Sequence, residues 1–255
     1  MKKILLTSVA VSLVAMQAFG EPSKSGFIVG VDLGFGLGKG SSMATSAPLN
    51  ANNGADSTAF FDTKSSVGSG KLVVGYQRYS ERLSFLGFNI KAKAGAGMGV
   101  MQQIMTQHLD QNNINQPLAG PLEVAYMPLS IGAEVNALID FYDNGTHAFG
   151  MNAGLGYEFV SGAGRQLTFK GAPNEFAPLF NASPLNYQLV SPKIGLHYYY
   201  QNHQFGLDAS FDKVLGRTYV AIEVPSGNAQ QNTEQKLEVD YNRFCTITLS
   251  YAYRF

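Results

Sequence analysis

The sequence predicts an all-β protein: an antiparallel up-and-down transmembrane β-barrel of eight strands, with long loops at one end and short turns at the other. Three observations carry this. Apolar residues recur with a period of two in eight separate segments, the pattern of a strand with one oily face. The chain is 45% hydrophobic but only 14% charged, with 28 glycines, whereas charged residues make up about a quarter of an ordinary soluble domain. Beyond residue 20 no apolar run approaches the ~20 residues that a spanning helix needs, so strands must carry the apolar content.

Residues 1–20 read as an export signal. Lys2 and Lys3 give the charged start, residues 4–14 an apolar stretch too short for a comfortable span, and Ala18-Phe19-Gly20 a small-x-small cleavage site. Cleavage after Gly20 would leave residues 21–255 as one barrel domain. The formal net charge is 0, and with no basic surplus nucleic acid is not an expected partner. The single cysteine, Cys245, lies far from the cleavage site. It offers neither a mature N-terminal lipid anchor nor an intrachain disulfide. It is expected on a lipid-facing strand position, as a small apolar residue.

The strands follow in order. In residues 26–38, Phe27, Val29, Val31, Leu33, Phe35 and Leu37 share one face, with Asp32 and glycines on the other. The second strand runs through Leu72, Val74 and Tyr76 to a short turn at residues 80–82. The third carries Phe88, Ile90, Ala92 and Ala94 outward against Asn89, Lys91 and Lys93. The fourth carries Leu129 to Ile139 outward against Glu134, Asn136 and Asp140. Asp143-Asn144-Gly145 is a hairpin signal, and the fifth strand follows from Phe149 to Phe159.

In the sixth strand Ile194, Leu196 and Tyr198 face outward against Lys193 and His197. Pro192 weakens it locally, because proline cannot donate to the ladder. After a turn at residues 201–203, the seventh places Phe205, Leu207, Ala209 and Phe211 opposite Asp208 and Asp212. The eighth is the terminal strand, alternating from Cys245 to Phe255. Long connections are expected near residues 39–66, 100–123, 161–185 and 217–238. Residues 217–224 and 236–241 read as extensions of the last two strands, joined by a turn at Pro225-Ser226-Gly227-Asn228. Met101, Ile104, Met105, His108 and Leu109 fall at helical spacing and predict a short helix over the barrel mouth. With no tryptophan, 13 Tyr and 17 Phe must build the interfacial girdles. Tyr198, Tyr199 and Tyr200 are assigned there, level with Tyr251, Tyr253 and Phe255.

Eight strands enclose a lumen just wide enough for side chains to fill. The inward charges are of both signs: Asp32, Glu134, Asp140, Glu158, Asp208 and Asp212 against Lys71, Lys91, Lys93, Lys193 and Arg254. Adjacent strands bring Lys91 and Lys93 near Glu134, and Lys193 near Asp208. Buried charges require such partners. The expectation is a salt-bridged plug; the alternative is a narrow porin-like channel, which would favour a one-signed ring. A less favoured third reading is a lipid-modifying barrel enzyme. That needs a nucleophile beside a histidine, and His197 with Ser191 or Ser250 is the pairing available, without a motif behind it. Neither a metal-ligand spacing nor a phosphate loop occurs, so no enzyme activity and no cofactor are expected.

A terminal strand ending on Phe resembles the closing strand of a bacterial outer-membrane barrel. That resemblance implies recognition of Tyr251, Tyr253 and Phe255 by the barrel-assembly machinery. Residues 138–159, with Asp140-Phe141-Tyr142, His147-Ala148-Phe149-Gly150 and Gly154-Leu155-Gly156-Tyr157, resemble the barrel region of the Helicobacter outer-membrane protein family (Hop/Hor-like). So do residues 202–207 and 238–244, and more loosely Gly26-Phe27-Ile28-Val29-Gly30. The family includes adhesins and porins, and its large members carry a long extracellular insertion that this chain lacks. The resemblance implies an outer-membrane location, contact with lipid and lipopolysaccharide, and surface loops that meet host or neighbouring ligands.

Overall fold

The computed structural model describes residues 24–48, 57–109, 122–169, 186–215, 218–225 and 232–255. The strands are β1 (Gly26–Pro48), β2 (Ser57–Tyr79), β3 (Leu86–Leu109), β4 (Leu122–Asp143), β5 (His147–Phe169), β6 (Asn186–Tyr200), β7 (His203–Leu215), β8 (Thr218–Pro225) and β9 (Asn232–Arg254). Each pairs antiparallel with its neighbour, and β1 pairs with β9 to close the ring. β8 continues beyond β7 along the same edge of β9, from Thr218 opposite Val239 to Pro225 opposite Asn232. β7 and β8 therefore make one stave, and the barrel has eight.

Closure follows from the alternation. Leu33, Leu72 and Ile131 are 62%, 70% and 64% exposed, while Gln77 and Asn136 are buried at 0% and 1%. This is the inverse of a water-soluble protein: the apolar face points out and the polar face in. Such a surface is stable in hydrocarbon and not in water, so the barrel spans a membrane. Short turns lie at one end, where Gly145 takes φ +84° in the β4–β5 hairpin and Gln201 takes φ +53° between β6 and β7. Asp143 and Asn144 side chains accept the turn's backbone N–H groups, as Asx residues do in tight turns.

Two expectations are corrected. Met101 to Leu109 form no helix; they belong to β3 and continue its ladder with β2, Met101 opposite Ser65 and Met105 opposite Phe61. Met101 is buried and Ile104 exposed, so the helix-like spacing puts these apolar residues on opposite faces of the strand and not on one stripe. The long connections are also much shorter than the apolar pattern implied. β1 and β2 run to Pro48 and from Ser57, β3 and β4 to Leu109 and from Leu122, and β5 and β6 to Phe169 and from Asn186. Apolar alternation stops where lipid stops, but backbone pairing does not need it. Of the 225–228 turn, Pro225 ends β8 and the rest lies outside the described residues, as does the 1–20 segment. At Pro192 the β6–β7 pairing breaks after Val190 and resumes at Lys193.

Candidate functional site

The lumen holds the chemistry. Its middle layer centres on Glu134 of β4, which pairs with three lysines: Lys91 at 3.4 Å, Lys93 at 2.6 Å and Lys193 at 2.9 Å. Lys93 also reaches Asp32 at 2.5 Å, and Lys193 reaches Asp208 at 3.1 Å. Asp32, Lys93, Glu134, Lys193 and Asp208 thus form a chain of alternating sign that joins β1, β3, β4, β6 and β7. All are nearly water-free, Glu134 being 6% exposed.

The register explains these positions. Lys91 stands opposite Glu134 in the β3–β4 ladder. Gly195 stands opposite Asp208, and Gly154 opposite Asn136. A Cβ at either glycine would collide with that neighbour's carboxylate or amide, so the glycines make the room in which those side chains lie. Amides complete the layer. Asn152 donates to Asp208 at 2.7 Å, and Asn136 donates to Asn89 at 2.6 Å and Glu134 at 3.0 Å.

At the turn end a second layer crosses the lumen. Tyr79 donates to Asp140 at 2.8 Å, Tyr199 donates to Gln77 at 3.2 Å, and the two phenol oxygens approach to 3.3 Å. β2 and β6 stand four staves apart in a ring of eight, so these contacts cross the full lumen. His197 meets Asp140 at 2.8 Å through Nε2. Lys24, just before β1, bridges Asp140 and Asp143, each at 2.6 Å, and lies 4.4 Å over the Tyr79 ring. Arg254 stands 5.7 Å from the Tyr199 ring and donates to the Gln201 carbonyl. Burial pushes the Asp143 carboxyl up, but the Lys24 ammonium and the Gly145 N–H outweigh it and hold the group below the usual carboxylate range.

Toward the loop end lies a cavity of about 100 Å³, large enough to hold several water molecules. Asp32, Lys71, Lys93, Glu158 and Asp212 line it. Lys71 pairs with Glu158 at 2.5 Å, and Asp212 accepts from Thr246 at 2.6 Å.

Tyr251, Tyr253 and Phe255 lie instead at the seam of the barrel. The Tyr253 and Phe255 rings meet edge-on at 5.0 Å, and the Phe255 N–H donates to the Phe27 carbonyl at 2.8 Å. Cys245 is exposed on β9. His197 hydrogen-bonds a carboxylate, and among the described residues neither Ser191 nor Ser250 is its partner. No metal-holding group of His, Cys, Asp and Glu occurs among the described residues.

Sequence reasoning assigned Tyr199 to the outer girdle with Tyr198 and Tyr200. Alternation places it inside, 2% exposed. It also missed Lys24, Gln77 and Tyr79; parity with Asp32 across the β1–β2 ladder was the signal for the last two, whereas Lys24 precedes any strand pattern.

No protein-family model and no curated protein matches the chain. Among solved structures it is similar to the outer membrane protein OprG from Pseudomonas aeruginosa, at 14% identity over 91% of this chain and 98% of that one, TM-score 0.43. It is also similar to the outer membrane protease OmpT from Escherichia coli, at 11% identity over 94% and 99%, TM-score 0.35. Neisserial surface protein A is similar at 12% identity over 91% and 98%, TM-score 0.31.

Glu134→Leu leaves three buried lysines short of a carboxylate and should cost about 3–5 kcal/mol, read as a lower unfolding midpoint in urea; an unchanged midpoint would sink the hub assignment. Asp143 should titrate below the ordinary value of about 3.9, and Lys24→Ala should raise it. Because the folded carboxyl is the stronger acid, its contribution is full above the unfolded pKa and is lost as pH falls through the folded one. NMR titration of the Asp143 carboxyl checks both.

Proposed function

We propose that this chain is an integral barrel of the bacterial outer membrane whose lumen is plugged, and that its role is structural or is exercised by its surface loops. The observation that carries the proposal is the crossing of the lumen at the turn end by Tyr79, Tyr199 and Gln77. An ion moving through must part these groups and then the Lys–Glu134 chain above them. In this reading the short turns face the periplasm and the loops face outward, the usual arrangement for such barrels. The signal is removed after Gly20, the wall meets lipid and lipopolysaccharide, and the assembly machinery reads Tyr251, Tyr253 and Phe255. The resemblance of residues 138–159 and 202–207 supports reading the chain as a small member of the Helicobacter outer-membrane protein family, without the large adhesin insertion.

A second reading, a narrow cation-favouring channel, draws on the polar cavity. Five carboxylates and three lysines line it, an acidic surplus that would attract cations.

The purified barrel in a planar bilayer should be electrically silent, and Tyr79→Ala with Tyr199→Ala should produce openings. Stable cation-selective openings of the unaltered protein would replace the plug with the channel. Separately, deletion of Phe255 should lower the amount of heat-modifiable barrel in the outer membrane several-fold; undiminished levels would count against the terminal assembly signal.

A further inference from the structure

The outer wall at the turn end is chemically lopsided. Strand register aligns His147, Tyr200, His203 and Tyr253 in one row across β5, β6, β7 and β9. Their rings touch in series. His147 and Tyr200 are 5.1 Å apart, Tyr200 and His203 are stacked at 6.5 Å, and His203 and Tyr253 meet edge-on at 5.3 Å. The next row toward the membrane centre contains Tyr198, Phe205 and Tyr251. The row after that is Met151, Leu196, Leu207 and Leu249, fully apolar. Polarity therefore falls stepwise over three rows, as it does from a lipid headgroup into its acyl chains.

The two histidines are held alike. Tyr198 lies 2.7 Å from Nδ1 of His147, and Tyr251 lies 2.9 Å from Nδ1 of His203. A phenol donating to Nδ1 fixes the neutral tautomer that carries its proton on Nε2. Both Nε2 atoms, and the Tyr200 hydroxyl between the rings, are without partners among the described residues. Three donors thus stand in a line at the boundary of the apolar belt. No Asp or Glu side chain occurs in residues 147–153, 194–205 or 247–253 to compete for them. The line stops at the seam, where β1 sets Val29 against Tyr253 and Val31 against Tyr251.

We propose that His147, Tyr200 and His203 form a phospholipid site, in which the Tyr200 phenol and a flanking histidine Nε2–H donate to a headgroup phosphate while the acyl chains lie on the leucine row. The site belongs to the leaflet at the turn end. It rests on the barrel standing in a bilayer, which insertion into liposomes tests on its own.

The test is native mass spectrometry of the full barrel released from vesicles of phosphatidylglycerol and diacylglycerol with matched chains. The unaltered protein should retain the phospholipid in preference to the diacylglycerol; equal retention of the two would overturn the proposal without any variant. His147→Phe with His203→Phe keeps the ring stack and removes the donors. It should lower phospholipid retention at least about tenfold, the worth of a hydrogen bond to a charged group, while heat-modifiable migration stays normal. Tyr200→Phe should weaken retention further. Arg78, exposed on β2 beside Phe88, is a rival donor on the outer wall. Retention unchanged in the double histidine variant, or lost only in Arg78→Ala, would overturn the assignment.

Discussion

Backbone groups facing hydrocarbon have no water to bond, so a strand that enters lipid must be paired along both edges. The β1–β9 seam meets that demand, running from Ile28 opposite Arg254 to Pro48 opposite Thr233 with one irregularity at Lys39/Gly40. Everything inside depends on it. Closure with eight staves fixes the diameter, and the diameter is small enough that luminal side chains must meet. Tyr79 and Tyr199 touch because the ring is narrow, not because their strands are neighbours. Two more staves would part them and turn the same residues into the lining of a channel.

Narrowness also sets the electrostatics. Charges on the inner face lose water, and a lone buried charge is costly. Here the central charges are shared rather than paired off. Glu134 serves three lysines, an excess of positive charge that Asp32 and Asp208 correct from the two ends of the chain. An apolar filling of the same volume could be as stable. What the ion chain adds is register. A one-residue slip of β3 against β4 would turn Lys91 and Lys93 out into lipid, so the network penalises misassembly far more than it rewards correct assembly.

Period-two alternation made the fold class readable before any coordinates: Phe27 to Leu37 and Cys245 to Phe255 alternate as strands with one apolar face, and the low charge content points that face at lipid. Hairpin order similarly makes Lys91 and Glu134 neighbours on paper. The bond from Lys193 to Glu134 skips a stave, and the Tyr79–Tyr199 contact skips three. Both depend on curvature, which no local pattern encodes. Strand length was misjudged for a related reason: the hydrophobic signal reports the thickness of the apolar belt, whereas β1, β2 and β3 continue past it on backbone hydrogen bonds alone. Tyr199 shows the cost of reading residue type before parity. Three successive tyrosines look like one girdle, yet the middle one must face the opposite way.

The two faces of this wall answer to different solvents, and that divides the labour within each strand. On β6, Lys193, His197 and Tyr199 close the lumen, while Ile194, Leu196, Tyr198 and Tyr200, offset by one residue, descend from apolar belt to headgroup level. A substitution on one face leaves the other's partners in place, provided the register holds. The interior is thus free to be optimised for closure, and the exterior and loops for whatever they touch. If the lumen is plugged as proposed, with Tyr79, Tyr199 and the Glu134 chain occupying it, selectivity for a partner would reside in surfaces that the ladder holds rigid but does not consume: the outer rows of β5 to β9 at one end, and the strand extensions beyond the apolar belt at the other.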